Sequence, residues 1–141
     1  MPEWTVSEES LAELIAGFER CDLPGAGFNH AKHLAVGAWY VWHRGPEGAL
    51  AQMRVCLTRL NAFHKTPNEP GRGYHETLTR FWIDRIAEWM GRAKPASAFD
   101  AIVGVTSEFA SRGNLWREYW SYDVVKSAEA KAAWVAPDRL L

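Results

Sequence analysis

Two short segments of the sequence carry histidines at a spacing that could do chemistry. The segment FNHAKHL, residues 28–34, holds His30 and His33, and the segment GYHETLT, residues 73–79, holds His75. Residues three apart on a helix have Cβ atoms about 5–6 Å from each other, so His30 and His33 can aim at one point. Neutral imidazole binds transition metals and acts as a general acid or base. We therefore take these three histidines as candidates for one site.

The three histidines suit several kinds of chemistry. As metal ligands, His30, His33 and His75 would hold a catalytic zinc or another divalent transition metal, with one position open for water or substrate. Glu76 or Asp22 could be an oxygen ligand or a proton carrier beside them. The zincin motif HExxH is absent because the fourth residue after His75 is Thr79, and the Glu-x-x-His pairs of di-iron bundles are absent too. A metal site, a metal-free catalytic or binding site, and purely structural histidines all stay open.

Other side chains near these segments could contact a ligand. Tyr74 could donate its hydroxyl, and Arg72 could bind an anion together with the free N–H groups at helix starts. Thr79 lies one turn beyond His75 on the same face, although Thr77 and Thr79 could instead bond back to their own helix. No glycine-rich phosphate-binding loop occurs, so nucleotide binding has no support.

The composition is that of an ordinary globular chain. Of the 141 residues, 48% are hydrophobic and 23% are charged, and the formal net charge is −1. This balance argues against disorder and against the excess of positive charge that is typical of nucleic-acid-binding proteins. No apolar run approaches the ~20 residues that span a bilayer, and no signal peptide is recognisable. We expect a single helical domain over residues 1–141, located in the cytoplasm, with no membrane or nucleic-acid partner.

Hydrophobic periodicity predicts that an all-α antiparallel bundle positions the candidate residues. Apolar residues recur at helical spacing in five segments, and Gly45-Pro46 and the loop at 63–73 interrupt the pattern. The run AIVGV could be a strand taken alone, but the absence of a partner strand favours a helix. We predict four to five main helices followed by short C-terminal helices. The main helices are expected at 6–20, from Asn29 to about His43, from Pro46 to about 62, at 74–90, and from Ser97 to about Arg112.

The direction of the chain brings the histidine segments together. Short connections make successive helices antiparallel, so the starts of the second and fourth helices share one pole of the bundle. We expect His30, His33 and His75 at this pole together with His64, and His43 at the opposite one. Helix starts carry partial positive charge, which favours neutral imidazole. The pole is therefore the predicted binding site.

The two histidine segments also resemble a known family. The pattern FxHxxHL at 28–34, GYHETxT at 73–79 and the tail at 121–138 resemble a widespread family of small, uncharacterised bacterial all-helical proteins. The resemblance implies a helical fold and a folded Pro137-Asp138 tail, and it implies no particular reaction. It also adds Phe28 to the residues expected to contact a ligand. The residues that it emphasises are Phe28, His30, His33, Tyr74, His75, Thr77 and Thr79.

Two functional hypotheses follow from the sequence. The first is a small protein that binds or transforms a small molecule at a histidine-rich polar site, with or without a metal; whether it is an enzyme stays open. The second is a non-catalytic interaction module, for example a homodimerisation unit, whose histidines are structural. The second hypothesis predicts histidines bonded to backbone carbonyls and an exposed apolar patch that bears several of the eight tryptophans.

Overall fold

The computed structural model describes residues 6–20, 29–69 and 72–139. Helices α1 to α5 are Glu8–Arg20, His30–Phe63, Glu76–Ala93, Ala98–Phe109 and Ala128–Ala132, and two 3-10 turns cover Leu115–Glu118 and Val124–Lys126. The described ranges contain no strand, and none of their helices is long and apolar enough to cross a membrane. The predicted all-α bundle with short C-terminal helices is confirmed, and the AIVGV run lies within α4.

The chain reverses direction inside α2, at Gly45. Gly45 has φ 74° and ψ 173°, a positive-φ conformation that glycine adopts readily and other residues adopt rarely. His33 and Leu60 line one cavity, although a continuous helix would hold them about 40 Å apart at 1.5 Å per residue. The helix α2 therefore consists of two antiparallel arms, 30–44 and 46–63, which are the second and third helices that the sequence predicted.

The hydrophobic core lies mainly between α2, α3 and α4. Helix α1 also packs against α2. Trp89 of α3 lies against Gly104 of α4 so closely that a Cβ atom at Gly104 would stand 2.1 Å from its Cη2 atom. Only a glycine allows this approach of the two helices. The largest fully buried side chains include Phe18, Tyr40, Ile86, Ile102 and Trp120.

Side-chain caps fix the two helix starts that flank the predicted site. Asn29 caps α2, because its Oδ1 accepts a hydrogen bond from the Lys32 N–H at 3.0 Å. His75 caps α3, because its Nδ1 accepts a hydrogen bond from the Leu78 N–H at 3.0 Å. Both caps satisfy a backbone donor that a helix start leaves without an intrahelical partner. The positions of Asn29 and His75 at this end of the bundle are therefore set by backbone hydrogen bonding.

The C-terminal segment is tied to the start of α3 by Thr77. The Thr77 hydroxyl is fully buried; it donates to the Ala133 carbonyl at 2.9 Å and accepts from the Val135 N–H at 3.1 Å. The prediction that Thr77 bonds back to its own helix is therefore wrong. Asp138 accepts hydrogen bonds from the N–H and the hydroxyl of Ser121, so it belongs to the folded unit as expected.

Candidate functional site

A cavity of about 540 Å³ lies between the two arms of α2 and the first turns of α3. This volume falls within the range of roughly 300–1,000 Å³ that is typical of small-molecule sites. The histidines His30, His33 and His75 all border it, so the pole that the sequence predicted is the place where they meet. The other polar residues of the wall are Asn29, Asn61, His64, Thr66, Tyr74 and Thr79, and its main apolar residues are Leu34, Met53, Leu57, Leu60, Leu78, Trp82, Ile83 and Ile86.

The polar part of the cavity wall lacks acidic and strongly basic side chains among the described residues. Its polar groups are imidazoles, amides and hydroxyls, and no Asp, Glu, Lys or Arg belongs to the part of the wall that the described residues form. An ion buried without a partner of opposite charge is strongly disfavoured. The cavity therefore suits neutral molecules.

His75 uses both of its ring nitrogens within the fold. Nδ1 accepts from the Leu78 N–H, so Nε2 is the protonated nitrogen in the neutral ring, and it donates to the Val124 carbonyl at 2.8 Å. Burial lowers the pKa of His75 below 6.5, which keeps the ring neutral at pH 7. Neither nitrogen is left for a metal ion, a proton transfer or a ligand. The metal-binding and catalytic roles predicted for His75 do not fit this bonding.

His30 is bonded across the bundle through one ring nitrogen. Its Nε2 donates to the Phe109 carbonyl at 3.1 Å, and its ring packs on Trp82 with 4.8 Å between centroids. Burial lowers the pKa of His30, and the bond to Phe109 partly opposes this shift. No hydrogen bond from a described residue reaches Nδ1. His30 thus anchors the start of α2 to the end of α4 and keeps one nitrogen for a ligand.

The predicted metal ligands do not form a metal site as they are placed. Over residues 6–20, 29–69 and 72–139, no group of three or more His, Cys, Asp or Glu side chains is arranged to hold a metal ion. The bonding explains this result, because His75 lacks a free nitrogen and His30 has only Nδ1 left. His33 cannot form such a site without them.

His64 is the fourth histidine of the cavity and differs from the other three. It follows the last residue of α2, and its Nε2 atom is buried without any hydrogen-bond partner among the described residues. Buried polar atoms in proteins are nearly always hydrogen-bonded, so an exception needs an explanation. The sequence placed His64 at this pole but gave it no role, because it lies outside both histidine segments.

Glu76 is not part of the cavity wall and is already paired. Its carboxylate accepts hydrogen bonds from Arg54 Nε at 2.9 Å, from Arg54 Nη2 at 2.6 Å and from the Tyr74 hydroxyl at 2.8 Å. The hydrogen bonds from Arg54 hold the pKa of Glu76 below 4.5. A paired, ionised carboxylate is poorly suited to carry a proton, so the geometry gives no support to the predicted catalytic role of Glu76.

The remaining predicted contact residues differ in their positions. Tyr74 and Thr79 border the cavity, and the Thr79 hydroxyl donates to the His75 carbonyl at 2.7 Å, which confirms the bond to its own helix. Arg72 is exposed and lies 3.6 Å from Glu69 in an ion pair rather than in the wall. Phe28 and Asp22 lie outside the described residues. The site thus keeps part of the predicted set and gains His64.

No protein-family model, curated protein or solved structure matches this chain. The resemblance to the family of small bacterial helical proteins therefore stays a prediction. The cavity is therefore the feature of this protein that bears on its function.

Proposed function

We propose that this protein binds a small organic molecule in the cavity between α2 and α3. The observation that supports this function best is a wall around about 540 Å³ of space that has an apolar part and a polar part without Asp, Glu, Lys or Arg among its described residues. Sites built in this way bind ligands with an apolar body and a few hydrogen-bonding groups. The proposed site does not include a metal ion, because both ring nitrogens of His75 are already hydrogen-bonded.

The two parts of the wall would contribute differently to binding. Burial of an apolar ligand surface against Leu57, Leu60 and Trp82 would supply most of the affinity, at roughly 25 cal/mol for each Å² removed from water. The amide of Asn61 and the histidines would orient the ligand through hydrogen bonds. The proposal is therefore one of binding and assigns no reaction.

One observation favours the second hypothesis, a non-catalytic interaction or dimerisation module. His30 and His75 are bonded to backbone carbonyls, as that hypothesis requires of structural histidines. The predicted patch of tryptophans is less well supported, since Trp42 is the one exposed tryptophan in the described part of the chain. An interface of that kind needs a continuous apolar surface. We therefore place ligand binding first.

Ligand-dependent stabilisation tests the proposal. The full chain would be unfolded by heat in the presence of a library of uncharged compounds that combine an apolar body with one or two polar groups. A ligand that binds only the folded state raises the free energy of unfolding by about 2.7 kcal/mol at 100 times its Kd. We expect at least one class of these compounds to raise the Tm.

A variant that fills the cavity makes this test specific. Leu78 belongs to the wall, so Leu78→Trp would occupy part of the space and abolish the response to ligand. Val103 is exposed on α4, outside the wall, so Val103→Trp is the matched control and should keep the response. A wild-type protein that responds to no compound, or an equal response in the Leu78→Trp variant, would contradict the proposal.

A further inference from the structure

We infer that His64 binds the polar group of the ligand through Nε2, and that this group is an uncharged hydroxyl such as that of an alcohol or a phenol. The inference rests on the proposed binding function and specifies the ligand class.

One ring nitrogen of His64 is unsatisfied. Nε2 is buried, it has no partner in the described part of the chain, and the residue belongs to the cavity wall. Since buried polar atoms are nearly always paired, this nitrogen is where a hydrogen-bonding ligand gains most. A ligand in the cavity would supply the missing partner.

The fold already uses most of the hydrogen-bonding atoms of four neighbouring wall residues. Both nitrogens of His75 are bonded, and His30 donates from Nε2 to a carbonyl. The hydroxyls of Tyr74 and Thr79 donate to Glu76 and to the His75 carbonyl. The Nδ1 atom of His30 also has no described partner, but His64 Nε2 is the side-chain atom of the described wall that is both buried and without one.

The composition of the wall limits the chemical class of the ligand. No Asp, Glu, Lys or Arg belongs to the described part of the wall, so a charged group of the ligand would be buried without a partner of opposite charge. The nitrogen Nε2 is a donor in one neutral tautomer and an acceptor in the other. A hydroxyl can complement either tautomer, because it both donates and accepts. The leucines and Trp82 would surround the apolar body that carries it.

Three compounds with the same two-ring body test the inference. Binding of 2-naphthol, naphthalene and 2-naphthoate to the wild-type protein would be measured at about pH 7.5, where 2-naphthol is uncharged and 2-naphthoate is an anion. We expect 2-naphthol to bind about tenfold more tightly than naphthalene, the gain expected from one hydrogen bond. We expect 2-naphthoate to bind more weakly than 2-naphthol. The ¹⁵N resonance of His64 Nε2 should shift on addition of 2-naphthol and stay unchanged with naphthalene.

Two variants complete the design. His64→Leu should lower the affinity for 2-naphthol to that for naphthalene and leave naphthalene binding unchanged. His43 is an exposed histidine at the far end of the first arm, so His43→Leu is the matched control and should bind all three compounds like the wild type. The comparison of compounds on the wild-type protein remains decisive if His64→Leu does not fold.

The outcomes separate this inference from the proposed function. If none of the three compounds binds, the cavity does not accept an apolar body and the proposed function itself fails. Equal binding of naphthalene and 2-naphthol, tighter binding of 2-naphthoate, or an unmoved His64 resonance would overturn the inference about His64 and leave the binding function standing. An unmoved resonance would mean that water, not the ligand, is the partner of Nε2.

Discussion

The Nδ1 atom of His75 accepts a hydrogen bond from the backbone N–H of Leu78, and this bond makes an imidazole the N-cap of α3. The other ring nitrogen donates to the Val124 carbonyl, far along the chain. One side chain therefore both begins a helix and ties the C-terminal region to it. The histidine with the most suggestive sequence context thus has a structural role in this fold.

Replacement of His75 should lower stability by an amount that depends on whether the new side chain can still cap α3. We expect His75→Ala to lower the free energy of unfolding by about 1–3 kcal/mol, because the cap of α3 and the partner of the Val124 carbonyl are both lost. His75→Asn should cost less, since asparagine can cap a helix although it is too short to replace the ring at Val124. Urea unfolding of both variants measures the difference. Stability equal to that of the wild type in His75→Ala would contradict the structural role.

Stability should fall when the pH drops below about 6.5. Burial lowers the pKa values of His30 and His75 below 6.5, whereas both would titrate near 6.5 in the unfolded chain. Between the unfolded and folded pKa values the unfolded state binds more protons, so acid favours unfolding there. The contribution of these two histidines is complete at higher pH, decreases as the pH falls through this window, and levels off below the folded values.

Urea unfolding at several pH values from about 8 to 5 tests this dependence. The double variant His30→Asn, His75→Asn should show a flatter curve, and the exposed His43→Asn control should keep the wild-type slope. Glu76 acts in a separate window, because its lowered pKa makes its contribution disappear only as the pH falls below about 4.5. A wild-type stability that does not change between pH 7 and 5 would refute the assignment.

Loss of the Thr77 hydroxyl should loosen the C-terminal segment. Thr77→Val keeps the shape of the side chain but leaves the Ala133 carbonyl and the Val135 N–H without their partner, at a cost of about 1–3 kcal/mol. Thr77→Ser retains the hydroxyl and should be milder. Hydrogen exchange of the Val135 amide is the direct measurement, and we expect faster exchange in Thr77→Val. Unchanged exchange there would show that the bond does not hold the segment.

Two glycines in helices should respond to alanine in opposite directions. Gly104→Ala would place its Cβ against the Trp89 ring and should destabilise the protein by at least about 1–3 kcal/mol. Gly91 is exposed on α3, and an added Cβ meets no atom within 4 Å. Gly91→Ala should therefore stabilise the protein by roughly 0.4–1 kcal/mol, because alanine restricts the unfolded chain. Thermal unfolding of the two variants measures both effects, and a tolerated Gly104→Ala would contradict the close packing of α3 on α4.

The sequence predicted the fold and the meeting of the histidines, because both depend on local patterns. Apolar periodicity and the Gly45-Pro46 break define the helices, and antiparallel order then brings His30 near His75. The sequence could not predict how the nitrogens are used. Their partners, the carbonyls of Phe109 and Val124, lie 79 and 49 residues away in the chain and carry no side-chain signature.

The sequence also could not predict that a ring nitrogen of His64 would lack a partner. Its Nε2 atom is buried and has no hydrogen-bond partner among the described residues. No sequence motif indicates that an atom will lack a partner in the folded structure. The predicted partner of the Thr77 hydroxyl was wrong for the same reason. The hydroxyl binds the Ala133 carbonyl, which lies 56 residues away in the chain. Local rules therefore identified which residues come together, whereas long-range hydrogen bonds decided which of them remain available.

Gly45 also sets the distance between the two long walls of the cavity. The arms 30–44 and 46–63 are joined through this single non-helical residue, so its backbone conformation fixes the angle at which they meet. Leu34 of the first arm and Leu57 of the second arm border the same space. A substitution that forces residue 45 out of its positive-φ conformation would therefore displace one wall relative to the other and change the volume of the cavity.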